Sequence, residues 1–133
     1  MTMKYLIVMI FGVSLCTNCL EKEVRYWTHL YGFAKLESNG NGINGLTLII
    51  GDIDPENTSI TRVRETITAN SADSIPAAGF FEMESVCYAT ENVQGSQIVW
   101  IMIDSTDNPG YTSQYQYVDL SGPTDTINYY IVP

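Results

Sequence analysis

From Val24 to Val132 the apolar residues recur at every second position or in short unbroken runs, and each run is closed by a cluster of Gly, Asn, Asp, Ser or Pro. A period of two sends side chains alternately to opposite faces of an extended chain, whereas a helix needs a period near 3.6, which no stretch here sustains. The rhythm predicts an all-β fold, a single antiparallel sandwich of about seven strands and Ig-like size, with no helix required.

The first strand should run from Val24 to Leu36, with Val24, Tyr26, Thr28 and Leu30 on one face and Arg25, Trp27, His29 and Tyr31 on the other. Gly32 is expected to bend or bulge it. Asn39-Gly40, Asn41-Gly42 and Asn44-Gly45 crowd the next segment with residues that accept positive φ, so the chain turns there. Leu46 to Ile53 follows, with Leu46, Leu48 and Ile50 inward. Beyond Asp54-Pro55-Glu56-Asn57, the run Ile60 to Ala69 has few large apolar groups and suits a sheet edge. Gly79 to Tyr88 carries the doubled aromatic Phe80-Phe81. Gln97 to Asp104 is the most apolar run and belongs at the centre of the core. After the turn at Asp107-Asn108-Pro109-Gly110, Thr112 to Leu120 and Thr126 to Val132 complete the set.

The N-terminal segment is built differently. Lys4 precedes an apolar run from Tyr5 to Val13, followed by Ser14, Leu15, Cys16 and Cys19. The run falls short of the roughly 20 residues that a spanning helix needs and reads as an export signal. Leu15-Cys16-Thr17-Asn18-Cys19 resembles a bacterial lipobox, which implies cleavage before Cys19 and lipid attachment to its thiol. The alternative is a plain signal cut after Cys16. On the lipobox reading residues 1–18 are the signal, 19–23 a tether and 24–133 one β-sandwich domain. The mature protein is then exported to the bacterial envelope and held by lipid at the outer membrane or cell surface.

Charge bounds the partners. The net charge of −9 becomes −10 once Lys4 is removed, because all fifteen acidic residues follow the signal. Such a surface repels nucleic acid and anionic headgroups, so the membrane is reached through the lipid anchor and nucleic acid is excluded. Cys87, between Val86 and Tyr88, reads as a small buried hydrophobe.

Two groups of residues stand out as candidate sites. Asp52, Asp54 and Glu56 present carboxylates at alternate positions beside Asn57, the hard oxygen ligands that Ca²⁺ favours. An EF-hand would need glycine at its sixth place and glutamate at its twelfth, where this chain has Asn57 and Val63, so only a looser Ca²⁺ site shared with Asp104 or Asp107 is open; the plainer reading is an acidic strand exit. Tyr111, Tyr115 and Tyr117 cluster near a loop, with Tyr115 and Tyr117 on one face, and aromatic rings on an exposed sheet stack on sugars and anchor partners. His29 is the single histidine, and no nucleophile-elbow pattern surrounds it or Cys87. The expected function is a non-catalytic structural or binding module with no resident cofactor beyond Ca²⁺. The alternative is a calcium-dependent or glycan-binding secreted module with a protein or glycan partner.

The order Tyr31-Gly32, Asn41-Gly42-Ile43-Asn44-Gly45-Leu46-Thr47-Leu48, Thr66-Ile67-Thr68-Ala69 and Gly79-Phe80-Phe81 resembles the opening half of a prealbumin-like sandwich. That group includes carboxypeptidase-regulatory-like domains and the B-type repeats of collagen adhesins. The resemblance covers residues 30 to 90 and implies a cell-surface spacer or binding module. The hydroxyisourate hydrolases of the same group use several histidines and a Tyr-Arg-Gly-Ser ending; this chain ends Tyr129-Tyr130-Ile131-Val132-Pro133. The adhesin repeats often close a Lys-to-Asn amide beside a buried acid, which by resemblance would join Lys35 to Asn128 near Glu82, Glu84 or Glu91. The simpler reading makes Lys35 a flanking surface charge.

Overall fold

The computed structural model describes residues 22–133, and the signal and the lipidation position Cys19 lie outside them. Among the described residues there are seven strands and no helix: β1 (Arg25–Leu36), β2 (Thr47–Ile53), β3 (Thr61–Ile67), β4 (Phe80–Thr90), β5 (Val99–Ile103), β6 (Tyr115–Val118) and β7 (Thr124–Ile131). They form two sheets, β4-β1-β7 and β3-β2-β5-β6, packed as a sandwich. All pairings are antiparallel except β1 with β7, which run parallel. The Thr- and Arg-rich run is the edge strand β3, and the most apolar run is the inner strand β5.

Alternation builds the core. Leu30 and Ala34 on β1, Leu48 and Ile50 on β2, Phe81 on β4, Ile101 and Ile103 on β5, and Tyr129 and Ile131 on β7 meet between the sheets. Each large aliphatic side chain buried there stabilises the fold by roughly 1.5–3 kcal/mol. Tyr129 adds a clasp: its hydroxyl accepts the Ile103 backbone N–H at 2.9 Å and donates to the Gln114 carbonyl at 2.8 Å. Burial pushes this phenol above its ordinary pKa.

Gly32 neither bends nor bulges its strand. It pairs with Phe81 on β4, and a Cβ there would stand inside the Phe81 ring, so the glycine makes room for an aromatic lid on the core. The irregularities of β1 lie nearer its start, between Tyr26 and Trp27 and between Thr28 and Leu30. The first leaves Tyr88 of β4 out of register with β1, while Tyr26 keeps to the face of Thr28 and is exposed at the open end of the sandwich. The second sets Glu84 and Ser85 against His29 alone, and Ser85 takes φ 53° to close the bulge.

Side chains close both open flanks of the sandwich. On one flank, Arg62, Arg64 and Thr66 of β3 donate to the β4 carbonyls of Ser85, Glu84 and Glu82. On the other, the Gln116 amide of β6 donates to the Asn128 carbonyl and accepts the Tyr130 N–H of β7, standing in for a missing strand.

Candidate binding site

The outer face of the four-stranded sheet carries the most exposed aromatic surface of the described residues. Its period-two positions are Val63 on β3, Ile49 and Gly51 on β2, Trp100 and Met102 on β5, and Tyr115 and Tyr117 on β6. Cross-strand pairing lines Val63, Gly51, Trp100 and Tyr117 into one row and Glu65, Ile49, Met102 and Tyr115 into the next. Tyr115 and Tyr117 are 55% and 53% exposed. Trp100 meets Tyr115 edge to face, with ring centroids 5.0 Å apart. Gly51 is essential to this arrangement: a Cβ there would collide with the indole, so only glycine lets Trp100 lie down over β2.

At the β5 start the platform runs into a groove of about 310 Å³ between the β2–β3 and β4–β5 connections. Trp100 and Tyr117 line it together with the aliphatic Ile53, Ile60, Val93 and Ile98, and Thr58, Ser59, Thr61 and Gln97 supply hydroxyl and amide groups. No charged side chain lines it.

Tyr111, expected to join Tyr115 and Tyr117, packs instead against the core from the β5–β6 connection. Trp100 belongs to the platform in its place. Its strand reads as wholly buried because Ile98 to Ile103 is continuously apolar, yet alternation alone would have sent Trp100 and Met102 outward from Val99, Ile101 and Ile103.

The structure does not bring Asp52, Asp54 and Glu56 together as a metal site. Asp52 continues the inward face of Leu48 and Ile50 and is fully buried. Its carboxylate accepts two hydrogen bonds from Arg62, one from Arg64 Nη2 at 3.1 Å and one from the Cys87 backbone N–H at 2.9 Å. Donating to the Asp52 carboxylate raises the Arg62 pKa, whereas burial lowers that of Arg64. A buried carboxylate already neutralised by two guanidinium groups is a poor ligand for a cation. Asp54 is spent on its own turn, accepting the N–H groups of Glu56 and Asn57. Among the described residues no group of three His, Cys, Asp or Glu side chains is arranged to hold a metal ion.

The outer face of the other sheet is aromatic too; Trp27 and Tyr130 are exposed there, while His29, Tyr31, Phe33 and Phe80 pack against one another. His29 stacks on Tyr31 at 4.2 Å, Tyr31 on Phe80 at 6.2 Å, and Phe33 meets Phe80 at 5.7 Å. The His29 Nδ1 lies 3.1 Å from the Tyr31 hydroxyl and its Nε2 lies 3.3 Å from Glu82. Lys35 Nζ sits 5.5 Å above the Phe33 ring. Lys35 pairs in register with Tyr130 and Asn128 with Phe33. The buried acid is Asp52 rather than a glutamate, and its cations are arginines, which offer no nucleophilic amine for a crosslink. Cys87 is buried, and burial is the main cause holding its thiol above its ordinary pKa.

No protein-family model, curated protein or solved structure matches this chain, so its function is read from the platform, the groove and the ends of its own fold.

Proposed function

We propose that the protein is an exported, lipid-anchored, non-catalytic binding module that takes neutral carbohydrate on the outer face of its four-stranded sheet. The observation that carries this reading is the chemistry of the groove at the platform's end. It pairs two accessible rings, Trp100 and Tyr117, with the uncharged hydrogen-bonding groups of Thr58, Ser59, Thr61 and Gln97. A pyranose has one apolar face for stacking and a rim of hydroxyls, which suit the rings and the polar groups of that lining. An ionic ligand would find no counter-charge in the groove. A protein partner would be expected to meet a larger apolar centre with a charged rim.

The prealbumin-like resemblance fits this role. The glycine-rich turn precedes β2, and Gly79-Phe80-Phe81 enters β4. Anchoring at Cys19 accounts for the export segment. No helix of the described residues is long and apolar enough to cross a membrane.

The test is titration of the mature protein with a panel of neutral oligosaccharides, measured by isothermal titration calorimetry. At least one member should bind, and Trp100→Ala and Tyr117→Ala should each abolish that binding while leaving the far-UV dichroism unchanged. Failure of every neutral oligosaccharide, or binding indifferent to both substitutions, would remove the proposal.

A further inference from the structure

One end of the sandwich gathers the start of β1, the end of β4, the β2–β3 turn and the β4–β5 connection. Glu23 binds these parts together: its carboxylate accepts the hydroxyls of Thr58, at 2.7 Å, and Thr90. The chain is further fixed by the Glu91 N–H, which donates to the Val24 carbonyl at 3.1 Å. Glu23 is therefore already part of the domain, although it was expected to belong to the tether.

Four large apolar side chains, Val24, Tyr26, Trp27 and Ile60, stand exposed at this end. Trp27 stands on the outer face, and Tyr26, on the inner face, is exposed because it lies at the open end of the sandwich. Tyr26 also meets Tyr88 at 6.4 Å and lines, with Leu120 and Val118, a cavity of about 400 Å³ that opens between the sheets. Nothing in the sandwich covers these groups. Only four residue steps separate Glu23 from Cys19, a span of at most about 14 Å when fully extended.

We propose that this end of the domain docks into the interface of a zwitterionic lipid bilayer, with Trp27 and Tyr26 at headgroup depth. The inference rests on the Cys19-anchored reading, because the short connection is what brings the apolar end to the membrane. Tryptophan and tyrosine, each with an apolar body and a polar tip, are the side chains that settle at that depth. The charged groups nearby, Lys22, Glu23, Arg25, Asp54, Glu56 and Glu91, are four acids to two bases, which favours neutral over anionic headgroups. Docked in this way, the domain stands on end. Its carbohydrate groove opens sideways just above the lipid, and the β1–β2, β3–β4 and β5–β6 connections face away from the membrane.

The test uses the full acylated chain, grown with fluorotryptophan and reconstituted into phosphatidylcholine vesicles; Trp27→Phe serves only to assign the two fluorine signals. Intact mass and vesicle flotation establish anchoring separately. Docking predicts that a nitroxide placed on the lipid acyl chain broadens the Trp27 signal, and that a water-soluble gadolinium chelate no longer reaches it. A floating, acylated protein whose Trp27 signal ignores the nitroxide and still responds to the chelate would overturn docking and leave the anchor intact. A protein without acyl mass that fails to float would overturn the anchor and docking together.

Discussion

The carboxylate of Asp52 on β2 accepts the backbone N–H of Cys87 on β4 at 2.9 Å, so a buried acid in one sheet is tied directly to the main chain of the other. Arg62 and Arg64 complete the tie by donating both to Asp52 and to the Ser85 carbonyl, which the bulge at Ser85 leaves free of β1. Removing one partner of a buried ion pair typically costs about 3–5 kcal/mol. The arginines are partly exposed and can turn to water, so Asp52→Ala is expected near the low end, about 3 kcal/mol. Urea unfolding should show a lower midpoint for Asp52→Ala and a smaller loss for Asp52→Asn, which keeps an acceptor for Cys87.

Gly51 has no structural task except to lie beneath Trp100. Gly51→Val, a good strand residue, should therefore leave the fold in place but lift the indole off β2. The expected result is a near-native unfolding midpoint, an altered near-UV tryptophan dichroism and loss of oligosaccharide binding.

Cys87 should be inert in the folded protein. Its thiol is enclosed and its pKa is raised by burial, so little thiolate is present at neutral pH. Labelling with a thiol reagent should follow global unfolding, speeding up with urea and staying slow as the pH rises to mildly alkaline values. Fast labelling of the native protein would show that this part of β4 opens on its own.

Glu23 supplies a pH dependence. The hydrogen bonds from Thr90 and then Thr58 favour its ionised form, and its pKa is lowered in the folded protein. A depressed carboxylate contributes stability that is fully present above its unfolded pKa and is lost as the pH falls through the folded value. Fixation of the β1 start to the β2–β3 turn should accordingly weaken only in acid, below the ordinary carboxylate range. Amide exchange at Glu91, whose N–H donates to the Val24 carbonyl, should rise there in the native chain relative to the rest of β4, whereas Glu23→Gln should lack this acid step.

The strand pattern was legible because alternation and turn residues are local. All seven expected runs contain the seven strands or miss them by a residue or two at an end, and the edge placement of β3 followed from its Thr and Arg content. What escaped was set by contacts across strands. Gly32 resembles a bend until Phe81 is known to lie over it, and the bulges of β1 depend on β4. Asp52 resembles a turn carboxylate beside Asp54 and Glu56. Yet its position two residues beyond Ile50 puts it inside, and the alternate arginines Arg62 and Arg64 were the available sign of its partners. The binding face was half legible: Tyr115 and Tyr117 share a strand face by parity. Trp100 and the polar groove wall come from three other segments whose meeting only the sheet order reveals.

The central claim is that ligand binds on the outer face of β2, β5 and β6. Amide and indole NMR spectra of the mature protein, recorded while a neutral oligosaccharide is added, test it most directly. The account predicts shifts confined to the Trp100 indole, Tyr115, Tyr117, Gly51 and the groove residues Thr58 to Thr61 and Gln97. Shifts centred on Tyr31, Phe33 and Phe80 of the opposite sheet, or none with any neutral oligosaccharide, would contradict it.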